Sequence, residues 1–170
     1  MIELETTRED MRIAWLTALA VTIHIVESAL PSPIPGIKLG LANVITIAVL
    51  IRYGWVTAAW VSILRVLVGS LLIGTFLSPG FLLSLGGAIC SIMILKPATY
   101  MPGKGFGPVG YSILAAVAHM CGQFTIAYTL FIPHQAMMNL LPVLITAAVL
   151  FGIMSGIISS RLLQACNNSD

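Results

Sequence analysis

Residues 54–77 read GWVTAAWVSILRVLVGSLLIGTFL, a run with a single charge, Arg65, near its middle. As a helix the run is long enough to cross the roughly 30 Å hydrocarbon core of a bilayer. A strand of a membrane barrel would be shorter and would alternate apolar with polar residues, and this stretch does neither. A cation at that depth costs about 3 kcal/mol or more, so it faces a protein interior or a wet cavity and has a partner. The stretch therefore sets the fold class, an all-α integral membrane protein. It also places inside that fold one residue that needs a chemical reason.

The rest of the chain agrees. Hydrophobic residues make up 58% and charged residues 8% of the sequence, and the mean hydropathy is +1.02. A soluble domain of this length needs a far more polar surface. The length suits about six spans of about 20 residues with short connections, leaving no room for a soluble catalytic domain. Hydropathy and Pro/Gly punctuation predict helices over residues 11–30, 38–51, 54–77, 80–95, 108–131 and 135–160. The expected organisation is a short segment 1–10, a six-helix transmembrane domain 11–161 and a tail 162–170. Segment 1–10, MIELETTRED, is acidic and is not a signal peptide.

Lysines and arginines set the orientation. With the N-terminus in the cytoplasm, Arg8, Arg12, Arg52, Lys96, Lys104 and Arg161 fall inside, and only Lys38 falls outside. Both termini are then cytoplasmic and the Pro-rich segment 31–38 is external. In that frame His24 and Glu27 share a face near the outer end of the first helix, three residues apart. Lys38 opens the second helix and Asn43 lies deeper in it. Ser84 is in the outer half of the fourth helix. His119 and Gln123, four apart, share a face of the fifth. These groups converge with Arg65 on the outer half, and the inner half is expected to be nearly free of polar side chains. The asymmetry predicts a cavity opening outward rather than a continuous pore.

Each residue also has a structural reading. Glu27 and Arg65 would serve as a buried ion pair fixing helix register, Asn43 and Ser84 as interhelical glue, and Lys38 as an interface anchor. Two small-residue stripes, Ala14/Ala18 and Gly152/Gly156/Ser160, lie in the inner halves of the first and sixth helices. Such spacing lets helices approach closely, within the chain or against a membrane partner.

Several chemistries are excluded. No G-x-x-x-x-G-K-[ST] phosphate loop is present. The two aspartates, Asp10 and Asp170, are in the terminal segments, so the carboxylates that hold Mg²⁺ for diphosphate chemistry are missing. Cys90, Cys121 and Cys166 form neither a disulfide framework nor a metal-ligand spacing. No basic cluster suggests nucleic acid. His24, Glu27 and His119 are metal-ligating residue types and leave open a metal-uptake component using His24 and Glu27, although one helical pair plus a distant histidine is a weak signal. No cofactor and no metal are assigned.

Residues 27–43, ESALPSPIPGIKLGLAN, resemble the Gx transporter family, which also carries the label heptaprenyl diphosphate synthase component I. The resemblance continues through ILRVLVGSLL (63–72), GTFLSPGFLLSLGGA (74–88) and AHMCGQ (118–123). The family pattern has Asn where this chain has Met120, so no polar contact is assigned there. The family is similar to the substrate-binding S components of energy-coupling factor transporters. The resemblance implies a multi-pass protein of a bacterial cytoplasmic membrane with a small-molecule site near the outer surface and the loop after the first helix as its lid. It also implies docking on a transmembrane coupling protein with ATPases through Ala14 and Ala18. Glu27 and Arg65 would then orient opposite charges on a small organic solute, with His24, Lys38, Asn43, Ser84, His119 and Gln123 supplying further polar contacts. The second label implies instead a non-catalytic membrane subunit associated with heptaprenyl diphosphate synthesis.

Overall fold

The computed structural model describes residues 7–29, 41–101 and 106–167. Every regular element among the described residues is helical: α1 (Arg8–Ala29), α2 (Leu41–Tyr53), α3 (Trp55–Ile73), α4 (Pro79–Thr99), α5 (Pro108–Ile126) and α6 (Leu141–Asn167). A π-helical turn, Ala127–Phe131, continues α5, and a 3-10 turn, Gln135–Leu140, leads into α6. Together with these turns, α1, α3, α4, α5 and α6 make five segments long and apolar enough to cross a membrane. The 13-residue α2 spans only about 20 Å.

Helix α2 is apolar through most of its length, as suits either lipid or protein interior. Seven consecutive residues, Val44, Ile45, Thr46, Ile47, Ala48, Val49 and Leu50, are buried. Helices α1, α3, α5 and α6 all pack against it. Its Ile45, Ile47, Val49 and Leu50 join Ala20, Ala58, Val61, Leu95 and Ala115 in the main core cluster. The shortest helix is thus the axis of the bundle, and the longer ones present their outward faces to lipid.

The helix ends follow local chemistry. Thr7 and Asp10 form a capping box: the Thr7 hydroxyl accepts from the Asp10 N–H at 3.2 Å, and the Asp10 carboxylate accepts from the Thr7 N–H at 3.0 Å. Gly54, with φ 89°, is the one residue between α2 and α3. Helix α3 stops at Ile73, short of the expected 77, because Gly74 turns left-handed (φ 76°). The Thr75 N–H then reaches the Ser70 carbonyl and the Gly74 N–H the Leu71 carbonyl, which closes a Schellman motif. Ser78 caps α4 through the Phe81 N–H, with Pro79 in the first turn. Helix α4 runs past the expected residue 95 to Thr99, and α6 past 160 to Asn167, into the segment expected as tail.

Arg12 lies over the Tyr53 ring at 4.8 Å and Lys96 over the Trp55 ring at 4.9 Å. These contacts gather Arg8, Arg12, Arg52 and Lys96 at one end of the bundle, and the antiparallel packing of α6 on α5 brings Arg161 to the same end. Lys38 and Lys104 lie outside the described residues.

The two small-residue stripes have different fates. Gly152 and Gly156 are buried against α5; a Cβ at Gly156 would sit 2.5 Å from the Val109 Cα, and one at Gly152 would sit 2.9 Å from the Ile113 Cα. The α6 stripe is therefore internal packing. Ala14 and Ala18 are exposed. Gly156→Val is expected to destabilise the bundle by about 2 kcal/mol or more, because backbone must move to admit the side chain. Ala14→Val, on an open face, should change stability by less than about 0.5 kcal/mol. Thermal unfolding of the two purified variants in detergent separates them.

Candidate functional site

Apolar spacing at three and four residues gives each long helix one inward stripe, and His24, Glu27 and Arg65 lie on the stripes of α1 and α3. On α1 the stripe is Thr17, Ala20, Val21, His24 and Glu27. On α3 it is Ala58, Val61, Ser62, Arg65, Val66 and Gly69. Glu27 and Arg65 are both buried, each 6% exposed. Ser84 on α4 precedes the buried Ala88, Ser91, Ile92 and Leu95. On α5, His119 and Gln123 follow the buried Ser112 and Ala115. Asn43, Ser84, His24, His119 and Gln123 are half-buried. Lys38 and the expected lid, residues 31–38, lie outside the described residues.

Register sets the depth of each group. The Trp55 indole N–H donates to the Ile92 carbonyl at 2.9 Å, and Lys96 caps the same ring. Counting antiparallel from there puts Arg65 about level with Ser84. Ser91 donates to the Ala115 carbonyl at 2.7 Å and His119 lies against Gly87. That α4–α5 register puts Ser84 about level with Gln123. The single-residue turn at Gly54 joins α2 to α3, so Asn43, eleven residues before it, stands about level with Arg65, eleven residues after it. Four polar residues on four helices thus share one layer, in the half of the bundle away from the basic end. His24 and Glu27 lie above that layer, and His119 lies about a turn below it.

Both intramembrane histidines rest on glycines of a neighbouring helix. A Cβ at Gly69 would come within 2.8 Å of the His24 ring, and one at Gly87 within 2.7 Å of the His119 ring. Each glycine opens a seat for an imidazole against the neighbouring helix. The sequence reading missed these partners. The signal was present as Gly69 four residues after Arg65 and as the Gly86–Gly87 pair facing a histidine helix.

The Arg65 guanidinium is the sharpest electrostatic feature. It is buried, Glu27 is near enough for its charge to act on it, and its Nε–H has no hydrogen-bond partner. A buried donor without an acceptor costs about 1–3 kcal/mol. The Nε–H is therefore a buried donor that an acceptor would satisfy, while the charge lies in the field of Glu27.

The inner half differs from expectation. Among the described residues its inward stripes lack charged and amide side chains, but they carry buried hydroxyls at Thr17, Thr57, Ser62, Ser91, Ser112, Ser155 and Ser159. Those of Thr17, Ser112 and Ser159 have no hydrogen-bond partner. His134, to which sequence assigned nothing, caps the 3-10 turn by accepting from the Ala136 N–H at 3.1 Å. Among the described residues no cluster of three or more His, Cys, Asp or Glu is placed to hold a metal ion.

A family model described as "Heptaprenyl diphosphate synthase component I" matches residues 16–162, which includes every helix that bears the layer. No curated protein and no solved structure gives a match.

The glycine seats are testable. Gly87→Ala should destabilise the fold by roughly 1–3 kcal/mol through collision with the imidazole. Adding His119→Ala should recover most of that loss. A double-mutant cycle by thermal unfolding reads the coupling, and additive effects would exclude the seat.

Proposed function

The chain belongs to the family of heptaprenyl diphosphate synthase component I, and on that premise we propose that it is a membrane-embedded, substrate-capturing protein for a small organic solute. In this reading six helices cross the bilayer, the basic end is cytoplasmic, and the site opens outward. Arg65 takes the anionic group of the solute. Glu27 faces its cationic group, so a zwitterionic or vitamin-like molecule fits best. Asn43, Ser84, Gln123, His119 and His24 supply hydrogen bonds around it. The observation that carries the reading is the buried guanidinium with an unpartnered Nε–H in a layer of polar residues.

The exposed Ala14/Ala18 face of α1 suits close approach by another transmembrane helix. In this reading it docks a coupling protein that carries ATPases, as S components do. Small organic solute uptake then needs no catalytic group in this chain.

The family description favours a second reading: a non-catalytic membrane subunit associated with heptaprenyl diphosphate synthesis, partnered by another synthase component. Affinity purification from membranes discriminates the two. A coupling protein with ATPases in the eluate supports uptake, and a soluble prenyl synthase supports the second.

Solutes extracted from the purified protein and identified by mass spectrometry supply the ligand for a direct test. Arg65→Ala should weaken its binding about ten- to hundredfold, the worth of a charge-assisted hydrogen bond. Arg65→Lys, which keeps the charge and loses the planar fork, should recover only part of that. Unchanged affinity in both variants would sink the role given to Arg65.

A further inference from the structure

Helix α5 carries a polar stripe over most of its length, and the function proposed above uses only its outer end. We propose that the inner part of this stripe, with the α6 serines beside it, is a route by which water from the basic end reaches the layer around Arg65.

Ser112, His119 and Gln123 are seven and four residues apart and so share one face of α5. Between Ser112 and His119, Ser91 of α4 donates to the Ala115 carbonyl at 2.7 Å. A polar side chain therefore recurs about every turn from the layer toward the basic end. At the inner end the stripe meets α6. A Cβ at Gly156 would sit 3.1 Å from the Ser112 Cβ, so Ser112 faces Gly156. Ser155 is next to Gly156 in the chain, Ser159 is one turn beyond it, and both are buried. The approaches of Gly152 to Ile113 and of Gly156 to Val109 set the antiparallel register. That register puts Ser155 about level with Ser112 and Ser159 about one turn nearer the basic end.

Two of these hydroxyls are unsatisfied. Ser112 and Ser159 are each 0% exposed, and neither Oγ has a hydrogen-bond partner. Return of the proton to the preceding turn is open to a helical serine, and Ser28 and Ser70 use it. Alanine at either position would strand no hydroxyl. Water between α5 and α6 satisfies both groups. A buried water makes about three hydrogen bonds, and three serines stand at this contact. The contact also suits opening. Gly152, Gly156 and the serines interlock no large side chain with α5, so a small slide of one helix on the other parts the two faces. Below His119 none of these side chains is charged, which suits water rather than an ion. The route ends at His119 and Gln123, so the layer around Arg65 is reached from both ends of the bundle. That the layer binds a solute is the reading given above, and the route does not depend on it.

Thiol accessibility tests the route. The full chain with Cys90→Ala and Cys121→Ala is placed in membrane vesicles. A charged, membrane-impermeant methanethiosulfonate is added from the side on which the exposed Cys166 reacts, and the labelled positions are read by mass spectrometry. Ser112→Cys and Ser159→Cys should label about tenfold faster than Ala98→Cys, the separation that water entry at one contact and not at the other would give. Ala98 is buried on α4, off the stripe, and by the same register lies between the two serines in depth. Adding Ser112→Ala to Ser159→Cys should slow labelling about fivefold, because a hydroxyl that water satisfies is gone. If one cysteine variant does not insert, the other carries the test alone. Labelling no faster than at Ala98→Cys, or labelling only from the opposite side, overturns the route. A rate unchanged by Ser112→Ala overturns the part given to the hydroxyls.

Discussion

Hydrocarbon offers no hydrogen-bond partner, so every polar group that enters it must be satisfied by the protein. That constraint organises this molecule. It makes the described elements helical, and it explains how lipid-facing hydroxyls behave. Thr22 donates to the Ala18 carbonyl, Ser28 to that of His24, Thr125 to that of Cys121 and Thr129 to that of Thr125. Each returns its proton to the preceding turn of its own helix, which costs nothing in partner atoms elsewhere. Against that rule the exceptions carry information. Arg65 Nε and the hydroxyls of Thr17, Ser112 and Ser159 are buried without a partner. A hydroxyl of a small residue tolerates such a position at modest cost. The unpartnered buried atom of Arg65 is its Nε, and the guanidinium charge lies in the field of Glu27.

Glycine performs two separate tasks in the bundle. Between α5 and α6 it lets backbone meet backbone: Gly152 and Gly156 lie against the Cα atoms of Ile113 and Val109. Between α4 and α5 both tasks occur side by side. Gly122 meets Cys90 and the Gly86 carbonyl, whereas Gly87 makes room for the His119 ring. Gly69 does the same for His24. In each seat the glycine lies one helix away from the histidine, so the imidazole is held by tertiary packing and not by its own helix. Such support fixes a ring's orientation, which a polar site near a lipid environment needs if it is to present the same donors to each ligand.

The sequence was most readable where a single residue type has one meaning in a membrane. The 54–77 run, the charge at Arg65 and the clustering of lysines and arginines gave the helical class, the inward stripe of α3 and the common basic end. Helix α2 was read as a sixth span, short for a straight crossing, over residues 38–51. Its apolar run was in plain view in LANVITIAVL, but a membrane helix apolar through most of its length is ambiguous: lipid and protein interior demand the same side chains. Only packing shows that α2 is the enclosed axis. The inner-half hydroxyls were passed over because serine and threonine are light signals in apolar runs. Their burial without partners depends on neighbours from other helices. Boundaries slipped for local reasons, as at Gly74, where a left-handed cap ended α3 before its apolar run was exhausted.

The same ambiguity shapes what exposed surface means here. Trp15 is 73% and Leu19 49% exposed on α1, and in water such a face would demand a partner. In lipid it demands none, since acyl chains are as apolar as the side chains. What distinguishes one outward face from another is therefore shape, not hydrophobicity. The α6 stripe shows how this chain uses small residues when a helix must come close: they are consumed by α5. The α1 pair, Ala14 and Ala18, has the same spacing on an exposed face. On α6 the close approach that such spacing allows is filled from within by α5, whereas on α1 the spacing faces outward.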